Sequence, residues 1–329
     1  MTVEPAEPGL LQKLQASARE QVTGSPGDVV FKLLALGFTL IILLLAGLLL
    51  YTVWTGASES IGEFGFFSFI VTQEWNPVFR EFGALHVIVG TLASSAIAVV
   101  LAVPVALGIA LFITELAPPA IRGIVAFTID ILAAIPSIVY GLWGLHVLLP
   151  FLDQHINPLL INYLGWLPFF DRPAFGFSLL TASIILAIMI VPIISAIARE
   201  VIGSVPTAQK EGMLALGATG WEVMWKVILP YARAGIVGAI ILGLARAIGE
   251  TMAVTMVIGN AHYISANILA PSATMASIIA NEFREATYSL YLSALIHVGL
   301  VLMFISLIVN ILARVLVWSV ASDPGGDRR

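Results

Sequence analysis

The chain has 329 residues, 59% of them hydrophobic and only 11% charged, with a formal net charge of −5. Globular chains average about a quarter charged residues, so a soluble fold is excluded. The absence of cysteine excludes disulfide scaffolds, thiol-ligated zinc or iron–sulfur centres and cysteine nucleophiles. There are four lysines, Lys13, Lys32, Lys210 and Lys226, and none follows a glycine. A phosphate-cradling G-x-x-x-x-G-K-[ST] loop is therefore ruled out, and any ATP used by this protein must be hydrolysed on another chain.

In chain order, the first uncharged run is the 26 residues between Lys32 and Glu59. It lies behind an acidic leader (Glu4, Glu7, Glu20, Asp28) and far exceeds the roughly 7–15-residue apolar core of a signal peptide, so a retained helix is expected. The second run is the 33 residues between Glu81 and Glu115, and the fourth is the 26 between Arg172 and Arg199. Each exceeds the ~20 residues that cross a bilayer as a helix. Residues 123–149 (interrupted by Asp130), 234–259 (interrupted by Arg246 and Glu250) and 290–318 complete six predicted spans. The expected fold class is thus all-α and polytopic. The expected organisation is an N-terminal segment 1–29, a membrane domain 30–320 with a charged loop at 199–233, and a tail 321–329.

Placing both termini on one side puts eleven Lys and Arg there (Lys13, Arg19, Lys32, Arg122, Arg199, Lys210, Lys226, Arg233, Arg314, Arg328 and Arg329) against Arg80, Arg172 and Arg284 opposite. Positive residues concentrate in cytoplasmic loops, so both termini and the 199–233 loop are expected in the cytoplasm. Pro104, Pro136 and Pro192 fall inside predicted spans, where each removes a backbone donor and kinks the helix. Span five carries Gly235, Ala239, Gly243 and Ala247, a small-residue spacing that admits another backbone closely, in the bundle or at a subunit interface.

Counted from Ala234, Arg246 lies roughly 18 Å into span five, near the middle of a ~30 Å hydrocarbon core. Glu250 is four residues on and can pair with it. Three readings remain open: a structural ion pair, a guanidinium fork for an oxyanion with Glu250 orienting it, or a proton relay through Glu250. Asp130 either pairs with a charge on another helix or a partner subunit or, the favoured reading, meets water near the cytoplasmic interface. The five histidines show no ligand spacing, so no metal is expected. The outer loops hold eight carboxylates against three arginines. That balance suits a cation, or an anion delivered by a separate binding protein.

The loop reads Glu211-Gly212-Met213, then Gly217, then Leu229-Pro230. Its spacing resembles the EAA loop of permease subunits of bacterial ABC importers, with Gly212 and Met213 in place of two alanines and Val227 in place of isoleucine. In that family the loop forms a short helix that docks on the ATPase. Pro206 and Thr207 can start such a helix, Gly217 can end it, and Trp221, Met224 and Trp225 can serve as apolar anchors. An ordinary amphipathic interfacial helix is the alternative.

Further segments extend the resemblance: Trp75-Asn76-Pro77, Phe82-Gly83-Ala84-Leu85, Ile135-Pro136-Ser137, Tyr140-Gly141-Leu142-Trp143-Gly144, and Ala245 through Val254. Together, from Gly62 to Trp318, they are similar to the PstC-type permease family of phosphate-specific importers. The resemblance implies a type I ABC importer fold and a multi-pass permease in the bacterial cytoplasmic membrane that moves inorganic phosphate without being an enzyme itself. It implies a PstA-type permease, a PstB-type ATPase dimer holding ATP and Mg, and a PstS-type phosphate-binding protein as partners. Arg246 and Glu250 carry over as pathway residues, and Glu211, Gly212, Gly217, Leu229 and Pro230 as ATPase-coupling residues. The competing functions are an ion- or proton-coupled secondary transporter using Arg246 and Glu250, a permease for a different oxyanion, and a scaffold subunit. An ATPase-docking loop has no use in a secondary carrier.

Overall fold

The computed structural model describes residues 26–171 and 176–321. Residues 1–25, Arg172 with its three successors, and residues 322–329 lie outside the described residues. So do most of the predicted N-terminal segment and nearly all of the tail. The chain divides into two compact units, Met1–Thr55 and Gly56–Arg329.

Helix α1, Pro26–Gly56, accounts for the described part of the first unit. It is apolar around its whole circumference, as a span in lipid must be. Threonine hydroxyls bond within the helix: Thr39 Oγ1 donates to Ala35 O at 2.8 Å and Thr52 Oγ1 to Leu49 O at 2.9 Å.

The second unit opens with short helices α2 (Ser58–Phe64) and α3 (Phe66–Val71). A two-residue hairpin follows, β1 (Trp75–Asn76) antiparallel to β2 (Glu81–Phe82), with Trp75 opposite Phe82 and Asn76 opposite Glu81. Then come α4 (Leu85–Leu116), α5 (Pro119–Ala134), α6 (Ser137–Leu164) and α7 (Leu179–Gly203). The loop helix α8 (Thr207–Ala215) precedes α9 (Gly220–Ile248), α10 (Met252–Thr255), α11 (Met275–Glu282) and α12 (Ser289–Ala321). Among the described residues five helices are long and apolar enough to span a membrane, and α5 with α6 forms a sixth only as a bent pair.

Two expected spans differ from observation. The third breaks by 92° between Ala134 and Ser137 instead of carrying Pro136 inside a helix. Proline disfavours helical backbone at the residue before it, and Ile135 is extended (φ −67°, ψ 129°). Tyr140 bridges the break by donating its hydroxyl to Leu132 O at 2.7 Å, satisfying one of the carbonyls that a helix end leaves free. Pro104 and Pro192 do remain inside α4 and α7.

The fifth span is displaced towards the N-terminus, from the expected 234–259 to Gly220–Ile248. A capping box starts it: Thr219 Oγ1 accepts from Glu222 N, and Glu222 Oε2 accepts from Thr219 N. Pro230 has no N–H to give, and the turn ahead of it, Met224–Ile228, is widened into a π-helical turn, so the helix runs through this proline.

The bundle is organised around α7. Helix α4 packs chiefly against it, presenting Ala98, Ala102, Ala106 and Ala110, all fully buried. Helix α9 packs on α7 through the predicted small-residue face. A Cβ at Gly243 would sit 2.7 Å from Ile194, and one at Gly235 would overlap Val201. The stripe therefore serves packing inside the bundle. Gly238, on the same helix, faces open space. Gly243→Leu is expected to lower the unfolding midpoint in detergent by the equivalent of about 1–3 kcal/mol, the usual cost of overpacking. Gly238→Leu should leave it unchanged or raised. Equal losses at both positions would show that the stripe is not the packing seam.

Candidate functional site

The described loop between α7 and α9 is built to stand outside the bundle. Helix α8 starts directly after Pro206 and stops at Leu216, where Gly217 adopts φ +84°, a left-handed conformation that favours glycine. Gly217 N donates to Leu214 O at 2.9 Å, closing the helix end. Glu211, Gly212 and Gly217 are exposed, and no atom lies within 4 Å of where a Gly212 Cβ would be. Leu229 is half-buried and Pro230 exposed.

Between α8 and the start of α9 runs a groove of about 590 Å³, lined among others by Gln209, Met213, Leu216, Lys226 and Tyr231. Trp221 and Trp225 are exposed and in edge contact, with ring centroids 5.5 Å apart. Met224, expected as a third anchor, instead packs against the apolar cluster of Ala198, Ile202, Val205 and Ile228.

Ion pairs tie this end of the bundle together. Lys210 Nζ lies 2.6 Å from Glu115 Oε1, joining α8 to the end of α4. Asp130 on α5 lies 3.4 Å from Arg199 Nη2 on α7, with the Asp130 side chain 53% exposed. Both openings envisaged for Asp130 thus coexist, a partner on another helix and access to solvent.

Arg246 and Glu250 stand at a helix end. Because α9 ends at Ile248, Arg246 occupies its last turn and not the middle of a helix. A cation there complements the negative end of the helix dipole. Glu250 falls in the unwound stretch before α10, with Oε1 accepting from Ala253 N at 3.4 Å. Arg246 Nη2 lies 3.7 Å from Glu250 Oε2, with the arginine side chain 52% exposed and the glutamate 5%. That separation is an ion pair without a short hydrogen bond. The buried carboxylate thus lies beside a guanidinium whose side chain is half exposed.

A polar cluster that sequence reasoning missed lies at the opposite end of the bundle. Glu282 on α11 is buried, and its Oε2 accepts from Trp75 Nε1 at 2.7 Å and from Tyr291 hydroxyl at 2.6 Å. His262 Nε2 lies 3.1 Å from Glu282 Oε1, and the rings of His262 and His86 are 5.6 Å apart. Three segments, the hairpin, the 256–274 connection and α12, thus meet on one carboxylate of α11, and α4 joins the cluster through the His86 ring beside His262. Burial alone would raise the pKa of Glu282, but the bonds from His262, Tyr291 and Trp75 outweigh it and hold the carboxyl below its ordinary value. In the sequence Glu282 is one acid among eight in outer loops. Only Trp75, within a segment carrying the family resemblance, hinted at its importance.

Residues 102–321 match the family described as "Binding-protein-dependent transport system inner membrane component". The "Phosphate transport system permease protein PstC" of Pasteurella multocida is 45% identical over 91% of this chain and 94% of its own length. That of Mesorhizobium japonicum is 43% identical over 91% and 92%. The chain belongs to the PstC family of phosphate transport permeases.

A probable PstC protein of the archaeon Methanocaldococcus jannaschii is 36% identical over 86% of this chain and 91% of its own length. Among solved structures, a chain of a bacterial ABC transporter involved in alginate import superposes with a TM-score of 0.57 at 18% identity, covering 88% of this chain and 97% of that one. A chain of the inward-facing MetNI methionine ABC transporter gives 0.52 at 17%, covering 75% and 99%. These two likenesses establish the type I ABC importer permease fold. As a PstC-family member the chain is a multi-pass inner-membrane transport subunit and not an enzyme.

The Glu282 cluster generates a pH prediction. A carboxyl whose value is depressed on folding contributes stability that is present above its unfolded value, near about 4.3, and lost as pH falls through the folded one. Between pH 7 and pH 3 the unfolding midpoint in detergent should drop less steeply in Glu282→Gln than in the parent. At pH 7 the variant should be weaker by about 1–3 kcal/mol through its poorer acceptor. Parallel pH profiles would count against the cluster as a titrating brace.

Proposed function

We propose that this chain is one of two permease subunits of an ATP-driven importer that carries inorganic phosphate across the bacterial cytoplasmic membrane. The observation that carries the reading is the Arg246–Glu250 pair, a half-exposed guanidinium backed by a buried carboxylate, on a chain that matches phosphate permeases along 91% of its length. The partners are a PstA-type permease, two PstB-type ATPase subunits that hold ATP and Mg, and a PstS-type phosphate-binding protein. Phosphate arrives from that binding protein, which suits outer loops whose excess carboxylates repel a free anion. Both termini and the 199–233 loop lie in the cytoplasm on the eleven-to-three count of positive residues. Membrane domain 30–320 lies between an N-terminal segment 1–29 and a tail 321–329.

The exposed helix α8, ended by Gly217, docks on the ATPase with Glu211 and Gly212 on its accessible surface, while Leu229 and Pro230 lie within α9, directly after its π-helical turn. ATPase closure would pull on α8 and rock the bundle between inward and outward states. This loop separates the reading from an ion-coupled carrier, which needs no such surface.

Proline cannot adopt the +84° φ of Gly217. The double variant Glu211→Lys with Gly217→Pro is expected to lose ATPase copurification and phosphate uptake while the permease still accumulates in the membrane. Full uptake with the ATPase retained would remove the coupling role. For the pathway, Arg246→Lys and Arg246→Gln should assemble and lose phosphate uptake by about 100-fold or more, since charge without the fork and hydrogen bonding without charge each fail. Arg246→Gln with Glu250→Gln should stay inactive. Recovery in that double variant would reduce the pair to a structural one.

A further inference from the structure

Helix α8 is joined covalently to two membrane helices, to α7 through residues 204–206 and to α9 through residues 216–219. Any pull on α8 reaches those helices along the backbone. Helix α4, the principal packing partner of α7, has no such connection and must follow through space. Among the described residues, the side-chain polar contact between α8 and α4 is the pair Lys210–Glu115, 2.6 Å long and spanning 95 residues of sequence. Its side chains are 19% and 21% exposed, unlike the Lys226–Glu222 pair nearby at 59% and 39%. A pair largely withdrawn from solvent is less screened than a surface pair and holds its geometry better.

The place where it attaches is mechanically distinctive. Glu115 sits in Phe112–Leu116, where α4 leaves α-helical geometry for a π-helical turn closed by Ala117 N donating to Phe112 O at 2.7 Å. Such turns carry a loosened ladder and recur at functional positions. Pro104 lies inside the same helix and gives no N–H to its ladder, so the segment from 104 to 116 runs from a missing backbone donor to the π-helical turn. On α8, Lys210 adjoins the exposed Glu211, while Met213 packs into the cluster that includes Ala110 of α4. Loop helix and the end of α4 thus share an apolar contact with one ionic tether.

We propose that Lys210 and Glu115 form the tether through which movement of the docking helix α8 is transmitted to α4. It rests on the reading of α8 as the ATPase-docking helix. Both are positioning residues: neither touches phosphate or nucleotide.

The test uses the complete importer in proteoliposomes, with the charge reversals Glu115→Lys and Lys210→Glu, the exchanged pair carrying both, and the milder Glu115→Gln. Two quantities are read, ATPase retained on the tagged permease and phosphate moved per ATP hydrolysed. Each single reversal should keep the ATPase bound and hydrolysing while the transport ratio falls about tenfold, within the span of typical coupling energies. The exchanged pair should return to within about twofold of the parent, since the attraction is restored with its ends swapped. Unchanged ratios in the single reversals, or an exchanged pair no better than the worse single, overturn the tether. Loss of the ATPase from Lys210→Glu also overturns it, making Lys210 part of the docking surface itself. If the reversals fail to accumulate, Glu115→Gln decides: a ratio equal to the parent's rejects the tether, and a fall of about threefold or more supports it. Failure of the docking reading is seen separately, as full ATPase retention in Glu211→Lys with Gly217→Pro.

Discussion

The described bundle depends on how closely its backbones approach. Between helices surrounded by lipid there is little hydrophobic force to draw on, because an acyl chain is as apolar as a leucine. Association rests on dispersion contacts and on the backbone proximity that small side chains permit. Helix α7 is the surface on which this happens, with the buried alanines of α4 on one side and Gly235, Ala239, Gly243 and Ala247 of α9 on the other. Large apolar residues belong to the centre, where Ile185, Ile190 and Ile194 of α7 fill the spaces that the small residues leave.

Within that rigid arrangement the irregular backbone is concentrated where polar groups can satisfy it. The break before Pro136 is bridged by Tyr140, and the unwound stretch after Ile248 is held by the Glu250 carboxylate accepting from Ala253 N. Non-helical backbone at membrane depth is tolerated only inside protein or along a water-lined path. The same stretch carries Glu250, and its partner Arg246 sits in the last turn of α9, so the pair stands at a helix end and not along a continuous helix.

The two ends of the second unit differ in chemistry. One end projects a short helix with exposed polar groups, tied back to α4 by the Lys210–Glu115 ion pair, beside the exposed Trp221 and Trp225 of α9. The other is closed by Glu282, whose donors come from three different segments, and by the tight hairpin whose Pro77 carbonyl accepts from Tyr288 hydroxyl at 2.6 Å.

Composition and charge spacing alone determined that this is a multi-span helical membrane protein, because each uncharged run had to cross lipid or be left unexplained. Local chemistry also sufficed for α8, since Pro206, Thr207 and the left-handed Gly217 act on their own few residues. The register of α9 was not legible: hydropathy favoured 234–259, while the Thr219–Glu222 cap and the π turn before Pro230 started the helix fourteen residues earlier and left Arg246 at its end. The 92° break likewise needed Tyr140 and its carbonyl partner eight residues away to be seen together. Long-range pairs such as Lys210–Glu115, and the carboxylate shared by Trp75, His262 and Tyr291, were decided only by the tertiary structure. Their partners stand far apart in the chain, and no periodicity connects side chains that meet only when separate helices pack.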